Sequence, residues 1–299
     1  MTKTLKIWII AAIALIIVGS VIFTSALAML EFDFRKLSTD KSLCNTYTPE
    51  EAFDRIQINV DTTDIEFLPA TDGQHKIVCE ESETVKHKVW VESGVLKIKV
   101  IPAKWYKRIN FFNFNRYKIK LYLPQNKYTA VAATTSTGDI SLPKELSFDT
   151  VRLDSDTGDI NCTALSGNVD ISSDTGDVRL GNSTGNVSIE TNTGDINISA
   201  VNCQRLNVDS DTGRTILNNC TVAGTFDAET DTGDIVFDGF DAGTIFVETD
   251  TGDVTGTLLS EKVFIVVSDT GDIDVPKSIS GGRCEITTDT GDVEITIRK

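Results

Sequence analysis

At 299 residues, 40% of them hydrophobic, the chain is long enough to bury the core of one large domain or two ordinary ones. Its charge is lopsided: residues 1–130 carry 18 basic against 14 acidic side chains and residues 131–299 carry 10 against 30, so the front is +4 and the back −20. A −20 surface repels nucleic-acid phosphates and anionic lipid headgroups, which excludes both as partners of the C-terminal part and leaves cations and neutral glycans.

In chain order, the first element is "IWIIAAIALIIVGSVIFTSALAML", Ile7 to Leu30, with no charged side chain over 24 positions. As a helix it rises about 36 Å, enough to cross a bilayer core with some tilt. Lys3 and Lys6 precede it, which favours a cytoplasmic N-terminus, a single pass and a body outside the cell; Arg35, Lys36 and Lys41 beyond it reduce the charge asymmetry. Ala26-Leu27-Ala28 also fits a cleavage site, so residues 1–30 read as a transmembrane anchor or, alternatively, a signal peptide. Residues 31–52 follow as a linker.

Residues 53–130 read as an N-terminal β cap. It begins with "IQINVDTTDIEF" at 56–67, a degenerate copy of the repeat described below in which Thr63 stands where later copies have Gly. Alternating stretches such as "VWVESGVLKIKV" follow and predict strands that close the end of the fold. His75 and His87 lie here on strand-like segments, where a surface histidine is the default. "KWYKRINFFNFNRYKIK" at 104–120 interleaves basic and aromatic residues. Its plainer reading is a long hairpin whose aromatics cover the first lap. The sharper one is contact with a membrane or the envelope through Trp105, Tyr106, Lys107, Arg108, Phe111 and Phe112.

Residues 131–299 repeat. Nine glycines of Thr-Gly, from Gly138 through Gly158, Gly176, Gly194, Gly213, Gly233, Gly252 and Gly271 to Gly291, recur every 18 to 20 residues. Positions seven and five before the Gly are apolar throughout (Val151 and Leu153, Val169 and Ile171, Leu206 and Val208), the position three before is always Ser or Thr, and Ile or Val stands two after in every copy except Thr215. Apolar residues at alternate positions predict strands with one face buried. The inward phase breaks between three before and two after the Gly, so the chain turns a corner at Asp-Thr-Gly-Asp. Thr followed by Gly suits a type II turn, which bends a coil better than it closes a hairpin. The predicted fold is all-β: a parallel β-solenoid of about nine to ten laps behind the cap and the helix. An antiparallel meander or sandwich is the competing fold.

The corner stacks acidic residues. Asp follows the Gly in every copy except Arg214, and Asp stands two before it in all but Ser136 and Asn192. Stacked laps make two acidic ladders, satisfied either by backbone N–H groups of each carboxylate's own turn or by calcium bridging laps, with Asp231, Asp234, Asp250, Asp253, Asp269 and Asp272 as candidate ligands. Of six cysteines, Cys162 and Cys284 fall on inward columns and read as small hydrophobes; Cys203 and Cys220, about one lap apart, are placed to pair. No nucleophile elbow, phosphate loop or zinc-ligand cluster is legible, so neither catalytic residues nor a cofactor are assigned.

The Ser/Thr-Asp-Thr-Gly-Asp-Ile/Val laps behind a single N-terminal hydrophobic segment, with an aromatic stretch leading into "YKIKLYLPQNKY" at 117–128, resemble the bacterial β-strand-repeat envelope proteins catalogued as a domain of unknown function and given an adhesin label. The resemblance covers roughly residues 50 to 299 and implies a non-enzymatic structural or adhesive protein of the cell envelope, meeting a membrane and either envelope glycans or another membrane protein, and no nucleic acid. The alternatives are a glycan-acting β-helix enzyme and an envelope-stress or regulatory partner of a membrane protein.

Overall fold

The computed structural model describes residues 3–29, 43–82, 85–101 and 117–298. It divides into two units, one built on the N-terminal helix and one holding almost all of the strands.

The helix runs Lys3–Met29. Its segment Trp8–Ser25 has mean hydropathy 2.4 and is long and apolar enough to cross a membrane. Thr24 donates its hydroxyl to the Ser20 carbonyl at 2.8 Å, which satisfies a polar group inside the apolar run.

The second unit is a two-sheet coil. Each lap places one long strand in the first sheet, such as Ser147–Thr157, and one short strand in the second, such as Ile160–Cys162. Successive laps pair in parallel: Val151 lies beside Val131 on one side and Val169 on the other, and Leu153 lies between Ala133 and Ile171. This parallel register is the predicted solenoid and rules out the antiparallel meander. The degenerate copy obeys the same columns, with Ile56 beside Val131 and Ile58 beside Ala133. Thr215, the polar exception two after its Gly, is buried like the apolar residues of its column, of which only Ile273 in the outermost lap is exposed.

The second corner of the lap also has a stacked solution. Asn182, Ala200 and Asn219, together with Gly239, take φ values of 57°, 53°, 50° and 68°. Asn tolerates this left-handed region because its short polar side chain bonds locally. Inside, Tyr128 stacks on Phe148, and Phe226, Phe237 and Phe240 pack ring against ring, all of them buried.

At both ends the order of laps in space departs from their order in sequence. Near the C-terminus, Gly282–Thr290 lies between Ile235–Thr251 and Lys262–Thr270, and Val293–Ile297 lies between Val254–Leu258 and Ile273–Asp274. The last lap is therefore interior and the one before it forms the end of the stack. Near the N-terminus, Arg55–Val60 likewise lies between Val95–Ile101 and Lys127–Thr137. The outermost C-terminal lap differs in its side chains as well. Val263, Ile265 and Val267 point outward and are exposed, at positions where the lap holding Leu153 has Thr150, Arg152 and Asp154.

The hydroxyl three before each Gly is buried in every lap except the outermost, that of Ser268. Ser155 donates to the Gly138 carbonyl at 3.2 Å, whereas the hydroxyls of Ser173, Thr191, Ser210, Thr230 and Thr249 have no hydrogen-bond partner. A buried hydroxyl without a partner costs roughly 1–3 kcal/mol. Replacing Thr230 by its isostere Val is therefore expected to stabilise the fold by about 1 kcal/mol, read as a higher urea midpoint at unchanged slope.

Candidate functional site

The repeated corner is the surface feature that the fold multiplies. Its glycines are imposed by stacking rather than by turn type. A Cβ added at Gly158, Gly176, Gly194 or Gly213 would lie 2.1–2.2 Å from the carbonyl oxygen of the Gly one lap earlier. At these four residues φ is 144–147°, not the roughly +80° of the type II turn expected from Thr-Gly. Thr63 is the exception, and its carbonyl oxygen lies 2.4 Å from where a Cβ at Gly138 would stand. The lap stacked on its far side, Val95–Ile101 and Tyr117–Leu123, has no Thr-Gly between its strands.

The carboxylates after the Gly bond between laps rather than within their own turns, which corrects the local reading. Asp139 Oδ1 accepts the Asp159 backbone N–H at 3.0 Å, Asp159 accepts that of Asp177 at 2.9 Å, and Asp177 accepts that of Asp195 at 3.1 Å. Like charges one lap apart, about 4.8 Å, repel by roughly 0.9 kcal/mol in water, while a hydrogen bond to a charged acceptor contributes roughly 1.5–3 kcal/mol, so the bond outweighs the repulsion. At Arg214 the side-chain chain changes form: Asp195 accepts the Arg214 N–H at 2.9 Å, and the guanidinium reaches Asp234 Oδ2 at 3.4 Å.

Lap order also rearranges the calcium candidates. Asp234 Oδ1 accepts the Asp253 N–H at 3.2 Å, Asp253 accepts that of Asp292, and Asp292 accepts that of Asp272, the last two at 2.8 Å. Asp253 and Asp272 are thus separated by Asp292 instead of stacking on each other. The same registers place the lap of Asp289 between those of Asp250 and Asp269, with Asp231 one lap before Asp250. Beside the ladder of residues two before the Gly, burial first and then the Asp156 carboxylate raise Asp154 above its ordinary value.

The other sequence candidates fare differently. Trp105, Tyr106, Lys107, Arg108, Phe111 and Phe112 lie outside the described residues. They stand in sequence between Val95–Ile101 and Tyr117–Leu123, where a repeat lap has its Asp-Thr-Gly-Asp corner. All six cysteines are free, and all but Cys44 are buried, so Cys203 and Cys220 are not bridged. Burial pushes Cys162 and Cys203 up to about 11 and Cys284 up to about 12, which keeps them unreactive thiols. His75 is half-buried with Nε2 3.2 Å from the Tyr128 hydroxyl. His87 is buried, contrary to the surface default, because it lies on the inward face of Lys86–Glu92.

No curated protein sequence matches this one. Solved structures do. A "putative adhesin" from Bacteroides fragilis shares 15% identity over 87% of this chain and 99% of its own, with a TM-score of 0.43. A "putative lipid binding protein" from Parabacteroides distasonis shares 15% over 86% and 97%, with a TM-score of 0.40. A second P. distasonis protein, also named a "putative adhesin", shares 15% over 86% and 98%, with a TM-score of 0.38. The Toastrack DUF4097 family profile matches residues 53–255 and 184–299. These profile matches together span residues 53–299, and the chain therefore belongs to the Toastrack DUF4097 family.

Proposed function

We propose that the chain is a membrane-anchored structural or adhesive rod of the cell envelope, with its C-terminal body outside the cell and no enzymatic activity. The observation that carries this reading is the sameness of the laps. Each corner from Asp139 to Asp195 presents the same carboxylate bonded to the next lap in the same way, so what the rod offers is a long uniform face rather than one exceptional site. An active site stands out as a local departure from a scaffold, and these laps repeat without one. The uncharged helix Trp8–Ser25 supplies the anchor, and the −20 charge of the repeats holds the rod off anionic headgroups. Envelope glycans and other membrane proteins are the partners such a face suits.

Fractionation tests the anchor. The full-length protein is expected to stay with membranes through high-salt and carbonate washes, and the repeats are expected to be digested by protease added to intact cells. A soluble form beginning at Met29 would replace the anchor with a cleaved signal, and protection of the repeats in intact cells would place the body inside.

A further inference from the structure

The N-terminal end of the coil holds a cluster that neither the ladder nor the anchor uses. Cys79 and Glu81 lie two residues apart on the inward face of Lys76–Glu81, and His87 lies on the inward face of the following strand, Lys86–Glu92. All three are at most 3% exposed. One ligand atom from each lies within 4.8 Å of the other two, the one such cluster among the described residues.

Its members are poorly served by each other. His87 Nδ1 is 3.4 Å from Glu81 Oε1, yet neither ring nitrogen of His87 has a hydrogen-bond partner. A buried imidazole left this way forfeits roughly 1–3 kcal/mol for each unmet group. Glu81, by contrast, is held firmly. Oε1 accepts the His87 backbone N–H at 2.8 Å and the Tyr47 hydroxyl at 3.2 Å, and Oε2 accepts the Asn45 amide at 2.5 Å. These donors are neutral, and among the described residues no Lys or Arg reaches the carboxylate. A buried carboxylate with no Lys or Arg beside it among the described residues is costly, and a carboxylate fixed by hydrogen bonds to its own oxygens is held as a metal-ligating carboxylate is.

We propose that Cys79, Glu81 and His87 bind a divalent transition-metal ion of the zinc class. Sulfur, nitrogen and oxygen donors together suit zinc, whereas calcium and magnesium take oxygen alone. Nitrogen and oxygen ligands at zinc-like bond lengths on two tetrahedral corners stand about 3.3 Å apart, close to the 3.4 Å between His87 and Glu81. On binding, the Cys79 thiol gives its proton to bulk water and the sulfur ligates as thiolate. The ion ties together the two faces of the coil at its end. Lys76–Glu81 pairs with Tyr117–Leu123 in one sheet, and Lys86–Glu92 pairs with Val95–Ile101 in the other.

The test is cobalt(II) titration of the full-length protein in detergent after chelation. One equivalent is expected to bind with a thiolate-to-cobalt charge-transfer band, which zinc(II) then bleaches. The band is expected to vanish in Cys79→Ser and persist in Cys44→Ser. His87→Gln is expected to weaken binding by more than about 100-fold, and Tyr47→Phe, which frees one bond to Glu81, by about 10-fold. Zinc is also expected to raise the melting temperature of the unmutated protein, a readout that stands even where a variant fails to fold. Absence of both band and melting shift in the unmutated protein overturns the proposal, as does a band that survives Cys79→Ser.

Discussion

Replacing Gly194 by Ala is expected to cost roughly 3–5 kcal/mol, while the same change at Gly181, 13 residues earlier, is expected to be neutral or to stabilise by up to about 1 kcal/mol. The two glycines lie in successive laps and differ in what a methyl group would meet. At Gly194 the new Cβ stands 2.1 Å from the Gly176 carbonyl oxygen with φ at +147°; at Gly181 its nearest neighbour is 3.5 Å away. Neither partner at the corner is free to retreat, because the Gly176 N–H is committed to the Thr193 carbonyl at 2.9 Å and the Gly194 N–H to that of Thr212, also at 2.9 Å. Urea unfolding of the two variants side by side measures the difference. Equal losses would show that neither the carbonyl of the lap before nor the positive φ constrains the corner glycine.

Val208→Asp carries the other large effect, a loss of about 4–5 kcal/mol. Val208 is 2% exposed and lies between Ile189 of the lap before and Ala228 of the lap after, so the carboxylate would meet only apolar neighbours in its column. Each lap of a solenoid is held chiefly by its two neighbours. The damage should therefore spread to the flanking laps, and the urea transition is expected to broaden as well as shift. Asn207→Ser, one residue away on the outward face, is expected to stay within about 0.5 kcal/mol. A sharp, unshifted transition for Val208→Asp would remove the inward column from the description of the core.

Much of this was legible from the chain alone because a strand has a period of two. The columns of Val151, Leu153 and Ser155 gave the buried face, the break in phase after them gave the corner, and the parallel register reproduces both. The sequence could not show which lap lies beside which. The column residues Cys284, Ile286 and Thr288 are matched as well by Phe264, Val266 and Ser268 as by Ile245, Val247 and Thr249, and the structure uses both sets as neighbours. The outward-facing apolar residues Val263, Ile265 and Val267 were the one available sign that this lap is different. The reach of Asp159 to the N–H of Asp177 was hidden for a related reason: an Asp in a turn looks locally satisfied, and its partner is 18 residues away. The cluster at Cys79, Glu81 and His87 was hidden because its two strands lie in different sheets, so its members' spacing matches no motif read along the chain.

The interior position of Gly282–Thr290 bears on how the molecule is made. Lys262–Thr270 leaves the ribosome before Gly282–Thr290, yet ends up farther from the middle of the rod. Simple propagation from the N-terminus would seat the earlier lap on the open edge of Ile235–Thr251, where its columns fit, and the final segment would then have to displace it. This end of the rod is thus completed only once Gly282–Thr290 has emerged, and a chain cut short before residue 282 would present a differently ordered stack. Between the two rearranged ends the laps stack in sequence order, so each copy there finds the same kind of neighbour above and below.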